Sequence, residues 1–205
     1  MVTIVNYGMG NLGSIKNMFK YIGVEAIVES DIDKIAKASK ILLPGVGSFD
    51  AAMKRINDSN LIEVLNEKAL KEQIPILGIC LGMQLMTKSS DEGNLKGLGW
   101  IDAKTLSFKK FLPSGSRIPH MGWNSVSISS SSLLTSELDK YDEARFYFVH
   151  SYFVKVDDEK NSILKTNYGI TFDSAIQKDN IYGTQFHPEK SHKFGMKIFE
   201  NFARI

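Results

Sequence analysis

The chain has 205 residues, 43% hydrophobic and 23% charged, with a formal net charge of +2. That length can bury a sizeable core and is read as one domain over 1–205; the weak charge offers no case for a nucleic-acid partner, and no run approaches the ~20 apolar residues of a membrane span. A single cysteine, Cys80, rules out an internal disulfide or a multi-cysteine zinc site and fits a reducing cytoplasm.

The start, Val2–Val5, reads as a strand running into a glycine turn at Gly8 rather than as a basic leader. Leu12, Ile15, Phe19 and Ile22 then recur at spacings of three and four, the period of an amphipathic helix. Further strands are expected at Val24–Val28, Lys40–Leu43 and Ile74–Ile79, the last two nearly continuous in apolar residues as strands buried on both faces are. Leu61, Val64, Leu65 and Leu70 mark a second helix between them. This alternation is the pattern of a parallel sheet covered by helices. From Trp100 onwards the period shortens towards two, in Ser125–Ile128, Arg145–Val149, Tyr152–Val156 and Thr171–Gln177, so an antiparallel part follows. Ser129–Ser132 reads as a surface loop, and Phe194, Ile198 and Phe202 give a closing helix its apolar stripe. The expected fold is a doubly wound, flavodoxin-like α/β domain with a mixed sheet.

By composition alone Cys80 reads as a buried structural thiol, since free cysteine is among the most buried residue types. Its neighbours favour the second reading. Gly78-Ile79-Cys80-Leu81-Gly82 follows an apolar strand and opens a helix, the thiol form of a nucleophile elbow, whose tight turn needs small residues on both sides. A helix start favours the thiolate, and the Leu81 N–H would lie beside a reacting carbonyl as half of an oxyanion hole. A thiolate also needs a base held by an orienting group. Of four histidines, His187 alone leaves a strand, is followed by a backbone-fixing Pro188, and has a carboxylate, Glu189, two residues on. Cys80, His187 and Glu189 are the expected triad.

Together, Gly-Ile-Cys80-Leu-Gly-Met-Gln and Gln-Phe-His187-Pro-Glu189 resemble the class I glutamine amidotransferases. Leu43-Pro44-Gly45-Val46-Gly47-Ser48-Phe49 resembles that family's oxyanion strand, in which a peptide at Val46 or Gly47 supplies the second N–H. Within the class, Tyr7-Gly8-Met9-Gly10-Asn11-Leu12, Ile118-Pro119-His120-Met121-Gly122-Trp123-Asn124 and Phe148-Val149-His150-Ser151-Tyr152 are similar to the glutaminase subunits of imidazole glycerol phosphate synthase. The resemblance covers nearly the whole chain. It implies glutamine as substrate, held by Gly45, Gln84, Glu92, Ser151 and Tyr152, with no metal and no cofactor. It also implies a (β/α)8 cyclase as heterodimer partner and Asn11, Met121, Trp123, Tyr147 and Lys190 at the interface. Two positions depart from the family's habit: Asn6, where Asp is common, and the polar Thr87 and Lys88 after Met86. Three other readings stand beside this one: the same chemistry serving a surface-sugar amidation synthase, a catalytically silent partner-binding module, and a general cysteine hydrolase.

Overall fold

In the computed structural model, which describes all 205 residues, the chain forms twelve strands and six helices. The strands are β1 (Val2–Val5), β2 (Ala26–Glu29), β3 (Ile41–Leu43), β4 (Ile76–Ile79), β5 (Ala103–Ser107), β6 (His120–Ser125), β7 (Ser127–Ile128), β8 (Arg145–His150), β9 (Tyr152–Val156), β10 (Ser162–Asn167), β11 (Thr171–Lys178) and β12 (Ile181–Thr184). The helices are α1 (Leu12–Tyr21), α2 (Ile32–Ile35), α3 (Phe49–Asp58), α4 (Leu61–Asn66), α5 (Leu81–Leu85) and α6 (His192–Arg204).

Strands β2, β1, β3, β4 and β12 lie side by side in that order and all run parallel, which is the doubly wound arrangement. Beyond β12 the sheet turns antiparallel through β11, β10 and β7, while β9 and β5 branch from β11. A separate ribbon pairs β6 with β8. The parallel strands are buried on both faces because alternate residues feed two cores. Val2, Ile4, Leu42, Leu77 and Ile79 pack with Phe19 of α1 and Phe199 of α6, whose rings stack at 4.5 Å. Val5, Ile41, Leu43 and Ile76 pack on the other side with Phe49, Met53, Leu61 and Leu81 from α3, α4 and α5. No helix is long and apolar enough to cross a membrane.

Val2–Val5 and Tyr152–Val156 form as expected, and the other strands mostly shift by one or two residues at their ends. Two expectations fail. Ser125–Ile128 is not one strand, because β6 pairs with β8 while β7 turns away to pair with β10. The second helix ends in a wider turn over Glu67–Lys71, which buries Ala69 and leaves Leu70 exposed. The polar residues after the elbow helix are accommodated individually: the Thr87 hydroxyl donates to the Gln84 carbonyl at 2.8 Å, and Lys88 reaches Asp102 and Asp157 at the surface.

Candidate active site

Three adjacent parallel strands, β3, β4 and β12, deliver Pro44–Ser48, Cys80 and His187 to the same edge of the sheet, the carboxyl ends where ligands of doubly wound folds bind. Cys80 sits at φ 53°, ψ −108°, a conformation that strains any residue with a Cβ and lifts the thiol out of the turn. The flanking glycines are sterically required. A Cβ at Gly78 would come within 2.7 Å of the Gly82 backbone, and one at Gly82 would run into the Leu43 carbonyl oxygen.

His187 Nδ1 and Glu189 Oε1 are 2.8 Å apart, and both side chains are almost wholly buried, at 3% and 1% exposure. The other ring nitrogen, Nε2, has no nitrogen or oxygen partner and is turned to the Cys80 thiol. Burial opposes charge on this ring. The thiol on one side and the carboxylate on the other outweigh it, and the His187 pKa is pushed up to about 10. The imidazole is therefore charged at neutral pH and able to give a proton to a leaving group.

A cavity of about 340 Å³ opens over these groups, lined by Val46, Gly47, Cys80, Leu81, Gln84, Glu92, Ser151, Tyr152, His187 and Lys190 among others. Its size suits a small polar metabolite. The backbone N–H groups of Leu81, Val46 and Gly47, all residues of the cavity lining, make no hydrogen bond within the chain, so all three are unpartnered donors, one more than an oxyanion hole needs. Gln84 donates its amide hydrogens to the Tyr152 carbonyl at 3.2 Å and to Gln185 Oε1 at 3.1 Å, which leaves its own oxygen as the atom open to the cavity. Glu92 uses Oε2 to accept the Phe49 N–H at 2.9 Å and keeps Oε1 free. The cavity lining thus carries two side chains with a spare acceptor oxygen, a chemistry that suits an ammonium group. Gly45 does not line the cavity. It is buried beneath, where a Cβ would come within 2.8 Å of the Gly82 nitrogen and 2.9 Å of the Tyr7 hydroxyl.

Of the expected interface residues, Met121 is 59% and Trp123 40% exposed, Asn11 and Lys190 are exposed, and Tyr147 is half-buried. Lys190 Nζ lies 5.6 Å from the Tyr147 ring centre, and Trp123 meets Tyr147 edge-on and stacks on His192. Trp123, Tyr147, Lys190 and His192 are thus in contact with one another, Lys190 also lines the cavity, and Met121 pairs across the β6–β8 ribbon with the cavity-lining Val149. Asn11 begins α1 next to Gly10, which packs on Pro44 of the oxyanion segment.

A model described as "Glutamine amidotransferase class-I" matches residues 3–205. The chain belongs to the class I glutamine amidotransferases. Among amidotransferase relatives, it is 55% identical over 204 residues to the imidazole glycerol phosphate synthase subunit HisH 2 of Methanococcus maripaludis, covering 100% of this chain and 99% of that one. It is 45% identical to the imidazole glycerol phosphate synthase subunit HisH of Bdellovibrio bacteriovorus, with each chain covered in full. Among solved structures, PurLQS from Thermotoga maritima superposes with a TM-score of 0.71 at 20% identity, covering 99% of this chain and 97% of that one, a likeness of fold.

Several site residues of this amidotransferase are absent from the sequence-based set. His150, Pro119 and Val149 also line the cavity. Tyr7 donates its hydroxyl to the Pro44 carbonyl at 2.6 Å under the oxyanion segment. Gln185 donates to Cys80 Sγ at 3.7 Å. The available signal for Gln185 was its place directly after the strand that leads to His187, two residues before that histidine.

Proposed function

We propose that this chain is the cytoplasmic glutaminase subunit of an imidazole glycerol phosphate synthase of histidine biosynthesis. It hydrolyses glutamine to glutamate and ammonia and passes the ammonia to a (β/α)8 cyclase subunit, which makes imidazole glycerol phosphate and an aminoimidazole carboxamide ribonucleotide. The observation that carries the chemistry is the buried His187–Glu189 pair turned to Cys80 at the floor of a cavity with free backbone donors. Full-length relatives bearing the synthase-subunit name support the pathway.

The Cys80 thiolate attacks the δ-carbonyl of glutamine, forming the C–S bond and placing negative charge on oxygen between the Leu81 N–H and that of Val46 or Gly47. His187 gives its proton to the amide nitrogen as the C–N bond breaks, releasing ammonia and leaving a glutamyl thioester. The now neutral His187, held by Glu189, takes a proton from water as it attacks the thioester; glutamate leaves and the thiolate returns. Gln84 and Glu92 accept from the α-ammonium group, while Ser151 and Tyr152 hold the carboxylate end. Ammonia released into water would be protonated and lost as a nucleophile. The patch of Met121, Trp123, Tyr147 and Lys190, with Asn11, is therefore where the cyclase docks and covers the cavity, and aromatic residues and Met are enriched in such interfaces.

The test is glutamate release by the purified chain alone and with the cyclase subunit and its nucleotide ligand. Low turnover alone, a large gain in the complex and none in Cys80→Ala are expected. Equal turnover with and without the partner sinks the coupling, and activity in Cys80→Ala sinks the mechanism.

A further inference from the structure

A line of hydrogen bonds crosses the domain from the β6–β8 ribbon to the catalytic sulfur. Its direction is fixed by one atom that can only accept, the backbone carbonyl oxygen of Tyr152. His150 Nδ1 lies 2.7 Å from that oxygen and must therefore carry the hydrogen. A neutral ring with its hydrogen on Nδ1 presents a lone pair at Nε2. His120 Nδ1, 2.9 Å away, is then the donor, and its Nε2 is left to accept. The Asn124 side-chain nitrogen supplies that bond at 3.2 Å. Asn124 cannot turn round, because the same nitrogen donates to the Asn167 carbonyl and its oxygen accepts from the Ser125 N–H.

From the other side, the same Tyr152 oxygen receives Gln84 Nε2. The second hydrogen of that amide goes to Gln185 Oε1, so Gln185 has to turn its nitrogen towards Cys80 Sγ. The Tyr152 carbonyl can only accept, so each of the two arms that run from it has one orientation. Both histidines are buried, and burial first of all pulls their pKa values down, to about 4 for His120 and about 3 for His150. They stay neutral at physiological pH, as the line requires. A proton added to either ring would set a hydrogen against the Asn124 amide hydrogens.

We propose that Gln185 is a further catalytic residue, whose amide N–H donates to the Cys80 sulfur while it is a thiolate, and that the His120–His150 pair positions it through Tyr152 and Gln84. A donor of this kind stabilises the anion in a dry site. It favours the thiolate over the thioester, whose sulfur is a poor acceptor, and so assists the departure of sulfur in the second half of the reaction. Gln185 is fully buried and has no other route to solvent or substrate. The inference rests on the glutaminase reading of this site.

The test starts from glutamate release by the wild-type chain with its cyclase subunit. Absence of turnover there refutes the glutaminase reading itself, whatever the variants do. Given wild-type turnover, Gln185→Glu, which still accepts from Gln84 but offers the sulfur no amide hydrogen, and Gln185→Met each lower kcat about 10- to 100-fold. KM for glutamine stays within about threefold of wild type, since the missing bond is to the reacting atom. Wild-type kcat in either variant overturns the assignment. His150→Leu loses turnover and His150→Asn, whose amide nitrogen stands near the Nδ1 position, recovers most of it; equal activity in the two overturns the positioning role. Nitrogen NMR of the wild-type imidazoles needs no variant: both rings are expected as neutral Nδ1–H tautomers at neutral pH. An Nε2–H tautomer or an imidazolium on either ring refutes the line.

Discussion

Glu92 Oε2 accepts the backbone N–H of Phe49 at 2.9 Å, so the carboxylate proposed above to read the ammonium of glutamine also holds the first residue of α3, directly after the Pro44–Ser48 segment. Ser48 makes no capping bond there with its own side chain, which leaves this role to Glu92. The 90–95 loop that carries Glu92 is itself tied to α3, since Asp50 accepts from the Asn94 and Leu95 N–H groups. The proposed ammonium reader and the proposed second oxyanion donor are therefore tied to the same helix start.

Glu92→Gln keeps an oxygen for Phe49 but removes the charge facing the ammonium, so KM for glutamine should rise about 10- to 100-fold with little change in kcat. Glu92→Ala also loses the helix-start acceptor, costing about 1 kcal/mol of stability, and should lower kcat because residues 45–48 are no longer anchored. Identical kcat in the two variants would contradict the shared unit. The pH dependence has a definite sign. Burial raises the Glu92 pKa, the Phe49 bond counteracts it and the Asp50 charge adds to it. The folded chain then holds this proton more tightly than the unfolded one, and stability falls as pH rises through the folded pKa. Glu92→Gln should lack that fall in denaturation series.

Cys80 is held at φ 53°, ψ −108°, which costs a residue with a Cβ about 1–3 kcal/mol but is open to glycine. Cys80→Gly should therefore be inactive yet more stable than Cys80→Ala by about 1 kcal/mol, the reverse of the usual ranking of alanine over glycine. Urea denaturation of both proteins measures it. Alanine equal to or above glycine would mean that the elbow stores no strain.

Gly82 lies against the Leu43 carbonyl, and neither is free to move, since Leu43 is a central strand residue and Gly82 belongs to the elbow helix. Gly82→Ala should lose at least about 2 kcal/mol and separate the oxyanion segment from the elbow. A thermal midpoint equal to wild type, with full activity, would show that the two segments are less closely coupled than their packing requires.

What the sequence made legible follows the physics of each element. The Cys80 elbow and the His187-Pro188-Glu189 turn could be read because each is local, its roles set by neighbours one or two residues away. The strands β1, β3 and β4 were legible because burial on both faces leaves an unbroken apolar run. β12, expected only as the strand that His187 leaves, had no such run to set its bounds. Its Gly183 admits Met83, whose Cγ would lie 2.7 Å from a Cβ there, and interrupts the apolar pattern. Gln185, Tyr7 and the histidine pair were out of reach for a different reason. Their partners lie 105, 37 and 30 residues away, so these contacts appear only when distant strands, parallel in the main sheet and antiparallel in the β6–β8 ribbon, are set side by side. The depth of Gly45 was hidden in the same way: its neighbours Val46 and Gly47 line the cavity and it packs beneath them.

Glu189 acts on His187 both by orientation and by charge, and Glu189→Gln separates the two, since an amide can still accept from Nδ1. With the charge gone, the neutral ring loses the partner that favours its protonated form, and kcat should fall about 100-fold or more. Stability carries the independent signature. The His187 pKa is raised from 6.5 to about 10, so the stabilisation is present in full below 6.5 and is lost as pH rises through about 10. Unfolding free energies across that window should decline in the wild type. In Glu189→Gln the decline should be shallower and finish at lower pH, because burial then opposes the charge with only Cys80 to offset it. An unchanged slope would show that Glu189 merely orients the ring, and that the Cys80 thiol alone keeps His187 protonated.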